Sequence, residues 1–441
     1  MRPFVLLLLL SINAVASPFE EILPLKQRAE IVDSLTHKRV HQILPQAMKD
    51  ADIDMWLLIS SEYNEDPVLK TLLPATWLSA RRTTMLVVTL TDENTVLTHA
   101  IAPYPVGKLF KRAWNKDAQP DQWRALAEFI EKHNPQRIGI NQSANWAHAD
   151  GLVASEKARL IAALKPQYQK RLVSAEAVAV AWLEQRLPEE IELMKTMGKI
   201  AHAIIAEGFS SKTITPGETT TEDLVWWFRE KVVSLRLDTW FHPSVSIQRR
   251  SAAQFDHENT FTDASAKVIQ HGDLLHVDFG ISYLRLHTDT QQHAYVLRPH
   301  EKTAPDFLHE ALAKGNQLQD IFTVRFAVGK TGNEVLKESL QAARKAGLKP
   351  TIYTHPLGYH GHAAGTTLGM WDQQDGVPGD GDYPLHANTA YSIELNNAYD
   401  AKEWNKEIRI MLEEDAYFDG QQVHYFDSRQ TKLIEIRSQA N

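Results

Sequence analysis

The chain has 441 residues, 43% hydrophobic and 23% charged, with a net charge of −8 and a sequence pI near 6.2. Such a composition suits a globular protein with a large core and, by length, about two to three domains. It lacks the basic footprint of a nucleic-acid binder, and the absence of Cys excludes thiol nucleophiles and thiolate metal sites, leaving carboxylates and imidazoles as metal donors.

The first residues read MRPFVLLLLLSINAVASPFEE. Arg2 supplies a positive start, Phe4 to Ile12 a short apolar core, and Ala14-Val15-Ala16 a small-residue cleavage pattern. Residues 1–16 are therefore predicted to be a signal peptide cut after Ala16. The run is too short to span a bilayer, and the alternative is an uncleaved N-terminal anchor. The expectation is an exported protein, periplasmic or secreted, with no membrane association after cleavage.

From residue 17 to about 187, strand-like and helix-like pieces alternate. MWLLIS (Met55 to Ser60), TMLVVTL (Thr84 to Leu90) and RIGIN (Arg137 to Asn141) read as short buried strands, and Pro120 to His133 as an amphipathic helix. This is an α/β pattern without a catalytic constellation, so its expected role is structural or lid-like. A boundary is placed at residues 187/188, where Pro188, Glu189 and Glu190 make a helix start suited to the helix dipole. A second helix is expected from Thr220 or Thr221. Residues 188–441 form the second unit, α+β in texture and rich in His and Asp after Trp240.

The stretch LLHVDFGISYLRLHTDTQQHAYV, Leu274 to Val296, reads as a hairpin. Asp is a poor strand former, yet Asp278 and Asp289 both lie on its polar face. A four-residue loop, Ser282 to Arg285, would set the two directly opposite each other, with Cβ atoms ~4.5–5.5 Å apart. Such a pair needs a proton or a cation between its members. Downstream, YTHPLGYHGHAAG holds His355, His360 and His362, TAYSIELNN places Glu394 in an apolar strand, and IRIMLEEDAYF does the same for Glu413 and Glu414. Extended backbone would put His360 and His362 on one face. Buried carboxylates need a partner or a metal, and carboxylates with one imidazole suit two ions of Mn, Co or Zn.

The Asp-x10-Asp hairpin, the Gly-His-x-x-Gly of residues 361–365, the strand Glu394 and the Glu413 that precedes further acids together resemble the metallopeptidases of family M24, the creatinase/prolidase/methionine-aminopeptidase group. The resemblance is to their two-domain members, the Xaa-Pro aminopeptidases and prolidases. It implies a creatinase-type N-terminal α/β domain before a pita-bread catalytic domain, a peptide substrate, two divalent metal ions (Mn foremost), and a homodimer. It implies Asp278, Asp289, His362, Glu394 and Glu413 as metal ligands, with Asp289 and Glu413 bridging and Glu394 also acting as general base toward a metal-bridging hydroxide. His360 remains an alternative to His362, and Glu414 to Glu413. A substrate-facing His upstream of the first Asp is implied at His257, with His242 the alternative. The family also places a His about seven residues after the ligand His. Position 369 is Gly, so with His362 as ligand that residue is missing, and His355 and His360 are its candidate substitutes or structural residues. Arg409 is expected either to brace Glu413 or to be a solvated edge residue. The expected activity is removal of an N-terminal residue before proline; the alternatives are a prolidase-type dipeptidase and a non-catalytic binding protein on the same scaffold.

Overall fold

The computed structural model describes residues 17–251 and 266–437. The leader-like residues 1–16 and His257 lie outside the described residues. Among the described residues no helix is long and apolar enough to cross a membrane.

The N-terminal half is built on six strands: β1 (Met55–Ser61), β2 (Thr83–Leu90), β3 (Val96–Ala100), β4 (Lys111–Arg112), β5 (Ile138–Ile140) and β6 (Leu172–Ser174), in the order β4-β3-β2-β1-β5-β6. β1, β5 and β6 run parallel and β2 antiparallel to β1. The near-continuous apolar run of β1 is that of a strand covered on both faces. Met55, Leu57 and Ile59 join one core with Leu126 and Ile130 of the helix Gln122–His133. Trp56 and Leu58 join the other, with Val40, Leu44 and Met48. That helix is N-capped by Asp121, whose carboxylate accepts from Trp123 and Arg124 N–H, so it begins two residues after the expected Pro120.

The C-terminal half holds β7 (Ser244–Gln248), β8 (Leu274–Phe279), β9 (Ser282–Tyr283), β10 (Leu286–His287), β11 (Thr290–Val296), β12 (Lys349–Ile352), β13 (His355–Leu357), β14 (Thr389–Ala401), β15 (Lys406–Phe418), β16 (Val423–Tyr425) and β17 (Ile434–Ile436). Nine of them form one sheet in the order β12-β14-β15-β11-β8-β7, with β13 on β14, β16 on β15 and β17 on β11. Among the described residues, four helices pack on the face of this sheet opposite the acids of the site. The helices Pro188–Gly208 and Thr221–Ser234 pack Met194, Met197, Leu224 and Phe228 into the core that takes Leu275, Val277 and Phe279 of β8. The helices Asp306–Thr323 and Gly332–Lys345 pack into the core of Ile393 and Leu395 of β14 and Ile408, Ile410 and Leu412 of β15. With a side-chain period of two, the residues between these apolar ones point to the opposite, uncovered face.

The hairpin differs from expectation in register. Its loop is two residues, Leu284 and Arg285, both at positive φ (53° and 66°), so Tyr283 pairs with Leu286. Such paired positive-φ turns match the right-handed twist of the strands. Arg285 is held there by the carbonyls of Thr71, Leu73 and Pro74 in the N-terminal half. Asp278 consequently opposes Gln291, and Asp289 lies two residues before Gln291, diagonal to Asp278 on the same face.

Candidate metal centre

Strand pairing lines up one row across the uncovered face: Glu394 opposite Glu413, Glu413 opposite Gln291, and Gln291 opposite Asp278. Asp289 adjoins this row from the hairpin. One carboxylate oxygen from each of Asp278, Asp289 and Glu413 falls within 4.8 Å of the others; the same holds for His355, Glu394 and Glu413, and for Asp289, His355 and His362. Four carboxylates thus converge where the sheet is buried. Asp289 is 4% exposed and Glu413 1%.

Their electrostatics follow from that crowding. Burial, then Glu413, pushes the Asp278 and Asp289 carboxyls far above the usual range, with Asp278 and Asp415 adding to the shift at Asp289. Glu394 is raised for the same reasons. Burial alone would lower the His355 imidazole pKa, but Glu413, Glu394 and the Pro356 carbonyl together raise it. Its Nε2 lies 3.5 Å from Glu413 Oε1 and 3.6 Å from Asp289 Oδ2, too far for hydrogen bonds.

Neighbours fix these groups. Gln291 Nε2 donates to Glu394 Oε1 (2.8 Å) and Glu413 Oε2 (2.7 Å), and its Oε1 accepts from His276 Nε2 at 2.8 Å. Ser392 Oγ donates to Glu413 Oε1 at 2.7 Å and to the Asp289 carbonyl at 3.1 Å. Asp415 Oδ1 accepts from the Asp289 N–H at 3.0 Å. Among the described residues, four atoms at the site stay buried without a hydrogen-bond partner: Asp278 Oδ1, Asp289 Oδ1, His355 Nε2 and Asp415 Oδ2. A buried polar atom without a partner is costly. All four border the carboxylate cluster, and oxygen plus imidazole donors are those that bind divalent transition ions. The residues present therefore fit a metal centre.

Of the expected ligands, Asp278, Asp289, Glu394 and Glu413 come together. Glu414 points to the other face, where its carboxylate meets His202 Nε2 at 2.6 Å and Gln292 Nε2 at 2.9 Å. His202 Nδ1 also lies 2.7 Å from Asp427, and these acids, against burial, lift its pKa to about 10. Of the histidines, the expected His362 groups with Asp289 and His355, while His355 also groups with Glu394 and Glu413. His355 is the imidazole buried among the carboxylates, touching two of the three clusters. His362 is part-exposed at the cavity wall, with its ring 4.6 Å from that of His355, and the desolvation of its inner side, then His355, lowers its pKa to about 4. Counting from His355 instead of His362, the His seven residues on is His362 itself. His360 does not join the cluster. A turn, closed by Gly358 N–H to His360 O (3.1 Å), replaces the extended backbone expected there. The His360 ring packs 4.4 Å from that of His148, and burial and His148 lower its pKa to about 3. His242 is exposed and 3.1 Å from Arg229. Arg409 makes no ion pair with Glu413; its Nη1 donates to Asn396 Oδ1 at 2.7 Å.

A cavity of about 550 Å3 opens over the carboxylates, walled by Trp240, Phe241, Tyr353, Trp371 and Met411. Trp240 donates from Nε1 to the Thr288 carbonyl at 2.9 Å and lies on Gly361, where a Cβ would sit 2.2 Å from the indole. That glycine lets the indole brace the segment carrying His362. Sequence reasoning passed over Asp415, Ser392, Gln291 and the aromatic wall. For Asp415 and Gln291 a signal existed: each lies two residues from an expected ligand and so shares its face.

The sequence profile of metallopeptidase family M24 matches residues 192–418. Among solved structures, the chain is similar to an X-Pro aminopeptidase from Thermotoga maritima (TM-score 0.63, 16% identity, covering 88% of this chain and 99% of that one). It is also similar to an Xaa-Pro dipeptidase from Bacillus anthracis (0.60, 16%, 91% and 99%) and to the N-terminal domain of FACT complex subunit SPT16 from Cicer arietinum (0.59, 12%, 91% and 99%). At these identities the likeness is one of fold. No curated protein sequence matches the chain.

Proposed function

Because the chain belongs to metallopeptidase family M24, we propose that it is a dinuclear metal-dependent peptidase that removes an N-terminal residue from peptides, with the Xaa-Pro bond as target. The observation that carries this reading is the buried carboxylate row with its partnerless buried oxygen and imidazole atoms. Asp278, Asp289, Glu394, Glu413 and His355 would hold two divalent ions, Mn foremost. Bound there, such ions polarise a carbonyl and make a water nucleophilic at neutral pH. In this reading His355 takes the ligand role first given to His362, and His362, exposed beside it, faces substrate.

The remaining roles belong to the chain. Glu394, at the edge of the carboxylate row and lining the cavity, takes the proton from the attacking water and passes it to the leaving amine. Gln291 and Ser392 fix the rotamers of Glu394 and Glu413. The aromatic wall excludes water from the reacting bond and offers flat apolar surface to a proline ring. Residues 17–187 serve as a creatinase-type domain that anchors the hairpin turn through Arg285, and residues 188–441 are catalytic. The leader-like residues 1–16 support export to the periplasm or beyond, and the family resemblance supports a homodimer. A prolidase-type dipeptidase is the alternative within the same chemistry. A non-catalytic binding role fits less well, because it gives no reason to keep the carboxylate row intact.

The test is metal analysis of the purified protein together with hydrolysis of Xaa-Pro peptides with and without a chelator. Chelator-sensitive release of the N-terminal residue and about two ions per chain is the expected result. Activity that survives both the chelator and Asp289→Asn would refute the metal mechanism.

A further inference from the structure

One row along the sheet from the acids, Thr351 of β12, Asn396 of β14 and Met411 of β15 stand side by side and line the cavity. Asn396 follows Glu394 by two residues, so the two side chains leave the same face of β14, about 6.6 Å apart along the strand.

Among the described residues two carboxamides line the cavity, Gln291 and Asn396, and they differ in what they have left to give. Gln291 is used at both ends: its Nε2 donates to Glu394 and Glu413 while its Oε1 accepts from His276. Asn396 is used at one end, where its Oδ1 accepts from Arg409 Nη1 at 2.7 Å. A guanidinium has donors only, so this bond fixes which end of the amide meets Arg409 and which turns away. Among the described residues the Asn396 Nδ2 finds no acceptor, although Asn396 is only 8% exposed. The next residue, Asn397, points to the other face and has both ends occupied: its Oδ1 accepts from the Lys349 N–H at 2.9 Å and its Nδ2 donates to the Ala398 carbonyl at 3.0 Å. A buried N–H without an acceptor is costly, and this one borders the cavity over the acids. Its complement is a carbonyl oxygen.

We propose that Asn396 is a specificity-determining residue whose Nδ2 donates to a backbone carbonyl of the substrate beyond the scissile bond, with Arg409 as the positioning residue that turns the amide toward the cavity. When the residue removed is the N-terminal one, every backbone carbonyl other than the scissile one lies beyond the cleaved bond. The ~6.6 Å from Glu394 to Asn396 is about two residues of extended chain, so a peptide with its scissile carbonyl over the acidic row carries its next carbonyls to Asn396. Arg409 is not a wall residue of the cavity and acts through Asn396 alone. The site therefore selects peptides that continue past the proline ring over substrates that end at it. This proposal rests on the peptidase reading above and adds to it the subsite that follows the cleaved bond.

The experiment compares Ala-Pro-Ala-NH2 with Ala-pyrrolidide, which keeps the tertiary amide and has no later carbonyl. The enzymes are the metal-loaded wild type, Asn396→Asp, Arg409→Met and Arg409→Lys. In the wild type the peptide should exceed the pyrrolidide by about three- to tenfold in kcat/KM, mostly through KM, the worth of one neutral hydrogen bond. Asn396→Asp keeps the size of the side chain and its contact with Arg409 but offers no N–H, so the ratio should fall to about one or below. Arg409→Met frees the amide to turn and should lower the ratio, whereas Arg409→Lys still donates to Oδ1 and should keep most of it. Binding of the product Pro-Ala-NH2, followed by calorimetry without turnover, should weaken in Asn396→Asp by the same factor as the ratio. The wild-type comparison needs no variant to fold. A wild type that treats both substrates alike, or a ratio and a product affinity unchanged in Asn396→Asp, would overturn the proposal and leave the peptidase reading in place. Hydrolysis of neither substrate would remove the peptidase reading, and the proposal with it.

Discussion

Asp289→Asn should change the sign of its effect on stability with metal. Asp289, Asp278 and Glu413 bring carboxylate oxygens within 4.8 Å of one another. At an effective dielectric of about 20, each like-charged pair at that distance repels by roughly 3.5 kcal/mol. The metal-free protein relieves part of this by keeping protons, since burial and mutual repulsion raise the Asp278, Asp289 and Glu394 pKa values. The unrelieved part is on the order of 1–3 kcal/mol. A carboxyl raised in the fold binds more protons there than in the unfolded chain. Its contribution is therefore most favourable below the unfolded value near 4 and is lost as pH rises through the folded one. In chelator at pH 8, Asp289→Asn should melt roughly 1–3 °C above wild type by calorimetry, and the gap should shrink toward pH 5. With saturating Mn the order should invert, because the wild type gains about 2.7 kcal/mol at a hundredfold excess over Kd and the variant loses a charged ligand. A metal-free variant less stable than wild type at pH 8, or a wild type whose melting ignores Mn, would refute the electrostatic account.

Three further outcomes follow from the same geometry. Glu394→Gln should lower kcat by about 10²–10⁴ with an intact fold, read by steady-state kinetics beside circular dichroism. His355→Ala should lose bound metal by elemental analysis, whereas His362→Ala should retain it and lose kcat; the reverse pattern would return the ligand role to His362. His202→Gln should destabilise by about 3–5 kcal/mol, because it leaves Glu414 buried against a neutral amide. The His202 pKa is raised to about 10, so its contribution is complete below about 6.5 and is lost as pH rises through about 10. Urea titrations from pH 7 to 10.5 should show that decline in wild type and not in the variant.

Local chemistry made much of this protein legible in sequence. The apolar runs at Met55 and Thr84 became strands, Pro188 opened its helix, and Asp278, Asp289, Glu394 and Glu413 stood out as acids in apolar strands. These are short-range signals: a two-residue period, a proline at a helix start, and a charge where burial penalises it. What failed in the reading were features set by partners distant in the chain. The hairpin loop shortened to Leu284 and Arg285 because carbonyls of Thr71, Leu73 and Pro74 hold Arg285 in a left-handed conformation, and the register moved by two with it. The roles of His355, His360 and His362 depended on a turn at Gly358 and on Trp240 packing onto Gly361, neither visible from spacing alone.

The sequence alone thus determined which residue types would be buried and on which strand face each acid would stand, because side-chain alternation is a property of the backbone. Only the tertiary structure decided which strands lie side by side, and hence which acids share a row, which imidazole enters it, and that Glu414 turns away to His202. Strand order and loop conformation are fixed by contacts among residues more than a hundred positions apart, such as His202 with Glu414 and Gln291 with Glu413, and no local pattern encodes them.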